Sequence, residues 1–151
     1  MKALIIYDSL FGNTEKVARA LASGLREGGA DVDCTRAAEV DVAGLHANDM
    51  LVIGGPTHKR GLSEPMKEFI ERLNDVDLTD IKGFAFDTKQ EPRFLTGSAG
   101  KHIEQKMKQR HMRVVKRHAS AIVLGREGPV AEGTEAQFRQ IGAELGRVNS
   151  P

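Results

Sequence analysis

With 151 residues, a net charge of +1, 40% hydrophobic and 28% charged residues, the chain has the composition of one globular domain spanning 1–151, long enough to bury roughly two-thirds of its unfolded surface. Cys34 is the only cysteine, which excludes an internal disulfide, and no apolar run approaches the roughly 20 residues of a membrane span. The chain enters a strand pattern at once, with no leader, so the expected address is the cytoplasm.

Hydrophobic periodicity predicts strands near 2–7, 31–35, 50–54, 82–87 and 119–124, alternating with helices near 14–27, 64–73, 98–110 and 133–147 and a helical turn near 41–46. The first helix follows from Val17, Ala18, Leu21, Ala22 and Leu25 on one face. For 64–73 the signals are Ser63 as cap, Pro65 in the first turn, and the stripe Met66, Phe69, Ile70 and Leu73. Thr134 and Gln137 have the spacing of a capping box before Phe138, Ile141 and Leu145. Strands alternating with helices imply a parallel sheet covered by helices on both faces, a three-layer α/β sandwich. In such a sheet a ligand lies beyond the carboxyl ends of the strands, here at loops 8–14, 55–62 and 87–98.

The most informative turn is Asp8-Ser9-Leu10-Phe11-Gly12-Asn13-Thr14, which leads from the first strand into the first helix. A strand-to-helix turn presents unpaired backbone N–H groups and the positive end of a helix dipole. With the Ser9 and Thr14 hydroxyls these make an anion site. The alternative is that Ser9 and Thr14 only cap the helix and Gly12 only turns the chain.

Other chemistry-bearing motifs are absent. There is no G-x-G-x-x-G, and Gly100-Lys101 lacks the glycine that a nucleotide-triphosphate loop needs five positions earlier. There is no H-E-x-x-H and no G-x-S-x-G, and His46, His58, His102, His111 and His118 are dispersed without metal-site spacing. Any chemistry therefore belongs to a bound cofactor.

The run Ile5-Ile6-Tyr7-Asp8-Ser9-Leu10-Phe11-Gly12-Asn13-Thr14, with Ala18 and Leu21 after it, resembles the FMN-phosphate signature of flavodoxins. Leu51 through Thr57 resembles the third strand and first flavin loop of that family. Phe84 through Thr88, followed by Ser98-Ala99, resembles the fourth strand and second flavin loop, and Glu127-Gly128-Pro129 is also similar. The resemblance, with the rule that crossovers are right-handed, implies a flavodoxin-like fold with a five-stranded parallel sheet in the order 2-1-3-4-5. It implies FMN as cofactor. Ser9, Leu10, Phe11, Gly12, Asn13 and Thr14 would hold the phosphate, and Pro56, Thr57, His58, Lys59, Arg60 and Gly61 would lie along the ring. Asp87, Thr88, Lys89, Phe94 and Ser98 complete the implied site from the third loop.

Two departures from the family carry physical content. His58 stands where flavodoxins usually stack an apolar or aromatic side chain, and Lys59 where a glycine peptide turns over to meet the flavin N5–H. A non-glycine residue pays roughly 1–2 kcal/mol for a left-handed backbone, so the turned peptide should be less accessible. Typical flavodoxins are acidic around the flavin, whereas this loop carries Lys59 and Arg60 with no acid until Glu64. Nearby cations stabilise a developing anion, which implies a less reducing cofactor. The chain also has no Trp, and Phe94 is the one aromatic of the third loop.

Between Lys101 and His118 lie Lys101, Lys106, Lys108, Arg110, Arg113, Lys116 and Arg117 against one acid, Glu104. This is either a solvated helix face or a docking surface for an acidic protein. Nucleic acid is not expected, because interleaved aromatics are missing.

The implied function is an FMN-binding electron carrier, cycling between oxidised, semiquinone and hydroquinone flavin, with redox proteins as partners, no membrane, and a monomeric or weakly dimeric state. The alternatives are an FMN-dependent NAD(P)H:acceptor reductase of the quinone type and a flavin-free binding module. Changing Lys59 to Gly and Arg60 to Asp together should lower the hydroquinone potential and raise the maximum semiquinone fraction. Spectroelectrochemistry reads both, and unchanged values would show that this loop does not tune the flavin.

Overall fold

A computed structural model describes residues 1–58, 61–90 and 97–148. In chain order the elements are β1 (Lys2–Tyr7), α1 (Asn13–Glu27), β2 (Asp31–Arg36), β3 (Met50–His58), β4 (Gly61–Leu62), α2 (Glu64–Arg72), β5 (Lys82–Gln90), α3 (Ala99–Gln109), β6 (Arg113–Val114), β7 (Ala119–Val123) and α4 (Thr134–Arg147). Short 3-10 turns occupy Ala37–Glu39, Val42–Ala47 and Leu73–Asp75. The turn expected near 41–46 is the second of these, and Asp41 caps it by accepting the Ala43 N–H at 3.1 Å.

The sheet runs β2-β1-β3-β5-β6, with β7 also on β5 and β4 on β3. Among the described residues every strand pairing is parallel except β3 with β4, and Val123 and Val130 add an isolated antiparallel bridge. This is the expected five-strand order, with two additions. The last strand is broken into β6 and β7, and β4 folds back on the end of β3.

Alternation along the buried strands builds two apolar layers. Ile5, Val52, Phe84 and Phe86 pack beneath α1 and α4, against Val17, Leu21, Leu25, Phe138 and Leu145. Ile6, Leu51, Ile53 and Ala85 face the opposite way, onto Met66 and Phe69 of α2 and Ile103 and Met107 of α3. Cys34 sits on the edge strand β2 beside Val32, and burial pushes its thiol pKa up.

Three local expectations are corrected. Residues 55–58 and 87–90 are strand rather than loop, because β3 and β5 stay paired through Gly55↔Asp87 and Pro56↔Thr88. Proline is tolerated there because β1 stops at the Tyr7↔Gly54 pair, so that side of β3 has no ladder to fill. Ser63 precedes α2 but makes no side-chain cap, since its hydroxyl donates to Asp8 instead. Thr134 is the first helical residue of α4 and not its cap. Gly133, at φ 85°, turns the chain there with no side-chain cap bond.

The closest helix contact joins α1 and α4. A Cβ on Gly24 would strike the Arg139 carbonyl, and one on Gly142 the Leu21 carbonyl. One on Gly28 would lie 2.7 Å from the Ala143 carbonyl, and one on Gly146 2.7 Å from that of Leu25. Glycine on both helices is what lets the backbones meet. Gly142→Ala should therefore destabilise the fold by about 1–3 kcal/mol despite the better helix propensity of alanine, seen as a lower urea midpoint.

Candidate functional site

β1 ends at Tyr7, level with Gly54 of β3 and Arg36 of β2, and the chain leaves the sheet through residues 8–12. The Asp8 N–H still donates to the Gly54 carbonyl at 3.2 Å. Gly12 then adopts φ 90°, the left-handed region that glycine enters without strain, and α1 begins at Asn13. The Ser9 hydroxyl oxygen accepts the Gly12 N–H at 3.1 Å and the Glu15 N–H at 3.3 Å. Gly12 is thus the N-cap residue of α1, and the Ser9 oxygen, three residues earlier, satisfies an N–H of the first turn from outside the helix. The N–H groups of Asn13 and Thr14 head the helix with no carbonyl behind them. Thr14 is buried, and its hydroxyl meets that of Thr88 on β5 at 2.8 Å.

These residues form one wall of a cavity of about 620 Å³ at the carboxyl edge of the sheet. Asp8, Ser9, Leu10, Phe11, Asn13 and Thr14 line it from the first loop; Pro56, Thr57 and His58 from the end of β3; and Thr88, Lys89 and Gln90 from the end of β5. Ser63, Glu64 and Pro65 at the start of α2 join them, and Val123, Gly125 and Arg126 close the far side. Leu10 and Phe11 are 69% and 43% exposed, so the rim beside the helix terminus is apolar. Asn13 packs on Gly128, where φ is +110° and a Cβ would lie 2.6 Å from the Asn13 amide oxygen.

Other expected residues stand elsewhere. Asp87 is fully buried and accepts the Ser98 hydroxyl and the Gly100 N–H, the latter at 2.9 Å. The Ser98 oxygen accepts the Lys101 N–H at 3.2 Å, and Thr57 accepts the Ala99 N–H at 3.0 Å. Asp87 and Ser98 thus anchor the N-terminus of α3 to β5 without lining the cavity. One oxygen of Asp87, Oδ1, has no hydrogen-bond partner among the described residues. Gly12 and Gly61 shape the chain and are not lining residues, while Lys59, Arg60 and Phe94 lie outside the described residues. Sequence reasoning placed Asp8 and Gln90 in the ligand loops without naming them as site residues, and did not assign Ser63, Glu64, Pro65, Val123, Gly125 or Arg126 to the site. The rule that ligands lie beyond the strand ends could have found the segment after β7.

In the basic stretch 101–118 two cations are paired with acids, Lys108 with Glu104 at 3.7 Å and Lys116 with Glu144 at 3.4 Å, while Lys106 and Arg110 are held by neutral acceptors, the Asn74 side chain and the Val76 carbonyl. Burial pushes the Glu104 carboxyl up, but the His118 N–H and ring and the Lys108 ammonium outweigh it and hold its pKa below the ordinary value. Lys101, Arg113 and Arg117 have no side-chain partner among the described residues. None of the described residues forms a group of three or more His, Cys, Asp or Glu able to hold a metal ion. No described helix is long and apolar enough to cross a membrane.

Comparison with known proteins gives the family. The flavodoxin family model matches residues 5–141, and the chain belongs to that family. It is 33% identical over 89 residues to a flavodoxin from Clostridium saccharobutylicum, a match covering 58% of this chain and 56% of that protein. It is 33% identical over 95 residues to an NAD(P)H dehydrogenase (quinone) from Archaeoglobus fulgidus, covering 46% and 50%. The crystal structure of oxidised flavodoxin 1 from Bacillus cereus superposes with a TM-score of 0.87 at 22% identity, over 99% of this chain and 100% of that one. The chain spans about half the length, or less, of the curated relatives it matches.

FMN is the cofactor of this family, and the cavity fits it. A helix N-terminus with two free N–H donors and a buried hydroxyl suits a phosphate. The volume lies within the roughly 300–1,000 Å³ of small-molecule sites. The hydroxyls of Thr57 and Thr88, at the ends of β3 and β5, suit a polyhydroxyl chain.

Proposed function

We propose that the protein is an FMN-dependent electron carrier. The observation that carries this reading is the N-terminus of α1, which opens with Ser9, Asn13 and Thr14 into a cavity at the carboxyl edge of the sheet. The Asn13 and Thr14 N–H groups and the Thr14 hydroxyl hold the phosphate, with Ser9 keeping the turn closed around it. Pro56, Thr57, His58, Thr88 and Lys89, which line the cavity, would contact the ring. FMN, when bound, accepts and releases electrons singly or in pairs. The protein's part is to hold the ring away from bulk water while leaving one edge for a partner. Lys101, at the head of α3 beside the carboxyl edge of the sheet, offers an acidic redox protein a charge to dock against, weakly and in a salt-dependent way, whereas Arg113 stands beside Lys82 at the opposite edge.

A visible spectrum of the purified protein, with mass spectrometry of the released cofactor, tests the reading directly: flavin bands and FMN at about one per chain are expected. Thr14→Val should weaken FMN roughly ten- to a hundredfold, and riboflavin much less, because the hydroxyl serves the phosphate. Equal weakening of both ligands in a fluorescence titration would remove loop 9–14 from that role.

A second reading, an FMN-dependent NAD(P)H:quinone reductase, is favoured by the relatives named NAD(P)H dehydrogenase (quinone). Anaerobic mixing of the FMN-loaded protein with NADH or NADPH separates the two. A carrier leaves the nucleotide unoxidised until a reductase is added, whereas a reductase bleaches its own flavin within the mixing experiment.

A further inference from the structure

Arg36, the last residue of β2, reaches the end of β1, the first loop and the first turn of α1 at once. Its Nη1 donates to the Ser9 carbonyl at 3.2 Å, its Nη2 to Glu15 Oε1 at 3.1 Å, and its guanidinium lies 5.3 Å from the centre of the Tyr7 ring. The Tyr7 hydroxyl donates to the same Glu15 oxygen at 3.2 Å, and Arg19 pairs with the other at 3.2 Å. Parallel pairing makes this assembly possible, since Tyr7 and Arg36 are register partners at the ends of β1 and β2.

The arrangement answers an electrostatic conflict. Glu15 lies in the first turn of α1, where its carboxylate interacts favourably with the helix dipole. A phosphate bound at the same terminus would meet that negative charge. Two arginines hold the carboxylate, and one of them also grips the backbone of Ser9, whose hydroxyl oxygen accepts an N–H of the first turn. No basic residue occurs among residues 8–14 themselves, so β2 supplies the charge.

We propose that Arg36 is a positioning residue for the phosphate end of the cavity, fixing Ser9 and offsetting Glu15 so that the N-terminus of α1 selects FMN over flavins lacking phosphate. This rests on the reading that loop 9–14 takes the phosphate.

The test is the ratio of FMN to riboflavin affinity, measured by flavin fluorescence titration of apoprotein. Arg36→Met should weaken FMN about three- to tenfold while moving riboflavin by less than about twofold. Arg36→Lys should restore part of the ratio. Glu15→Gln should raise the ratio in the otherwise native protein and recover it in the Arg36→Met background. The Arg36→Met deficit should also shrink with added salt, as an interaction between charges does. A purely structural residue would weaken both flavins together.

An unchanged ratio in Arg36→Met, while Thr14→Val lowers it, would overturn the proposal and leave the phosphate loop standing. No change in either variant would overturn both. If circular dichroism shows Arg36→Met unfolded, Glu15→Gln decides alone: a raised ratio supports the proposal and an unchanged one overturns it.

Discussion

The whole site depends on β1 being paired in parallel on both sides. Because β2 and β3 flank it in the same direction, Arg36, Tyr7 and Gly54 stand in one row, where β1 and β2 end while β3 runs on to His58. β1 leads into α1 on one face of the sheet while β3 leads into α2 on the other, so a gap opens between these strand ends, and α1 starts in it. The helix terminus, the hydroxyls and the cavity are consequences of that row. An antiparallel β1 would have carried its loop to the opposite edge, away from Thr57 and Thr88.

Polar groups at this edge are shared between elements. The Thr14 hydroxyl bonds Thr88, tying α1 to β5, and Ser63 bonds Asp8, tying the start of α2 to the first loop. Thr57 and Asp87 accept N–H groups from the head of α3. The first loop, α1, β3, β5 and the start of α2 are thus each tied to another element by a side chain. Such cross-links keep buried polar atoms satisfied and fix the walls before a ligand arrives. Asp87 Oδ1 and Arg110 Nε are the exceptions, the two buried side-chain atoms without a partner among the described residues.

Charge is arranged in layers rather than as one field. Around the first loop Glu15 is enclosed by Arg19 and Arg36, while the cavity wall itself carries Asp8 and Glu64 together with Lys89 and Arg126. In the basic stretch on and after α3, Lys108 and Lys116 are paired with the acids Glu104 and Glu144. A count of lysines and arginines along the sequence therefore overstates what a partner would meet.

Much of this molecule is written locally. The apolar runs at Ile5-Ile6 and Leu51-Val52-Ile53 and the helical stripe from Val17 to Leu25 fixed the alternation of strand and helix, since burial on two faces or one leaves a period visible in the residues themselves. The turn from Ser9 to Thr14 was legible for the same reason: its hydroxyls and its glycine act within six residues of each other. What the sequence could not decide is how far β3 and β5 run, because Gly55-Pro56 and Asp87-Thr88 look like loop until each is paired with the other. Nor could it show that Gly133 rather than Thr134 precedes α4, or that Ser63 turns from its helix to Asp8. Arg126 on the far wall and Arg36 behind the first loop lie 112 and 22 residues from Thr14 in sequence. Only the closing of the sheet, which sets distant strand ends side by side, brings them to the same place.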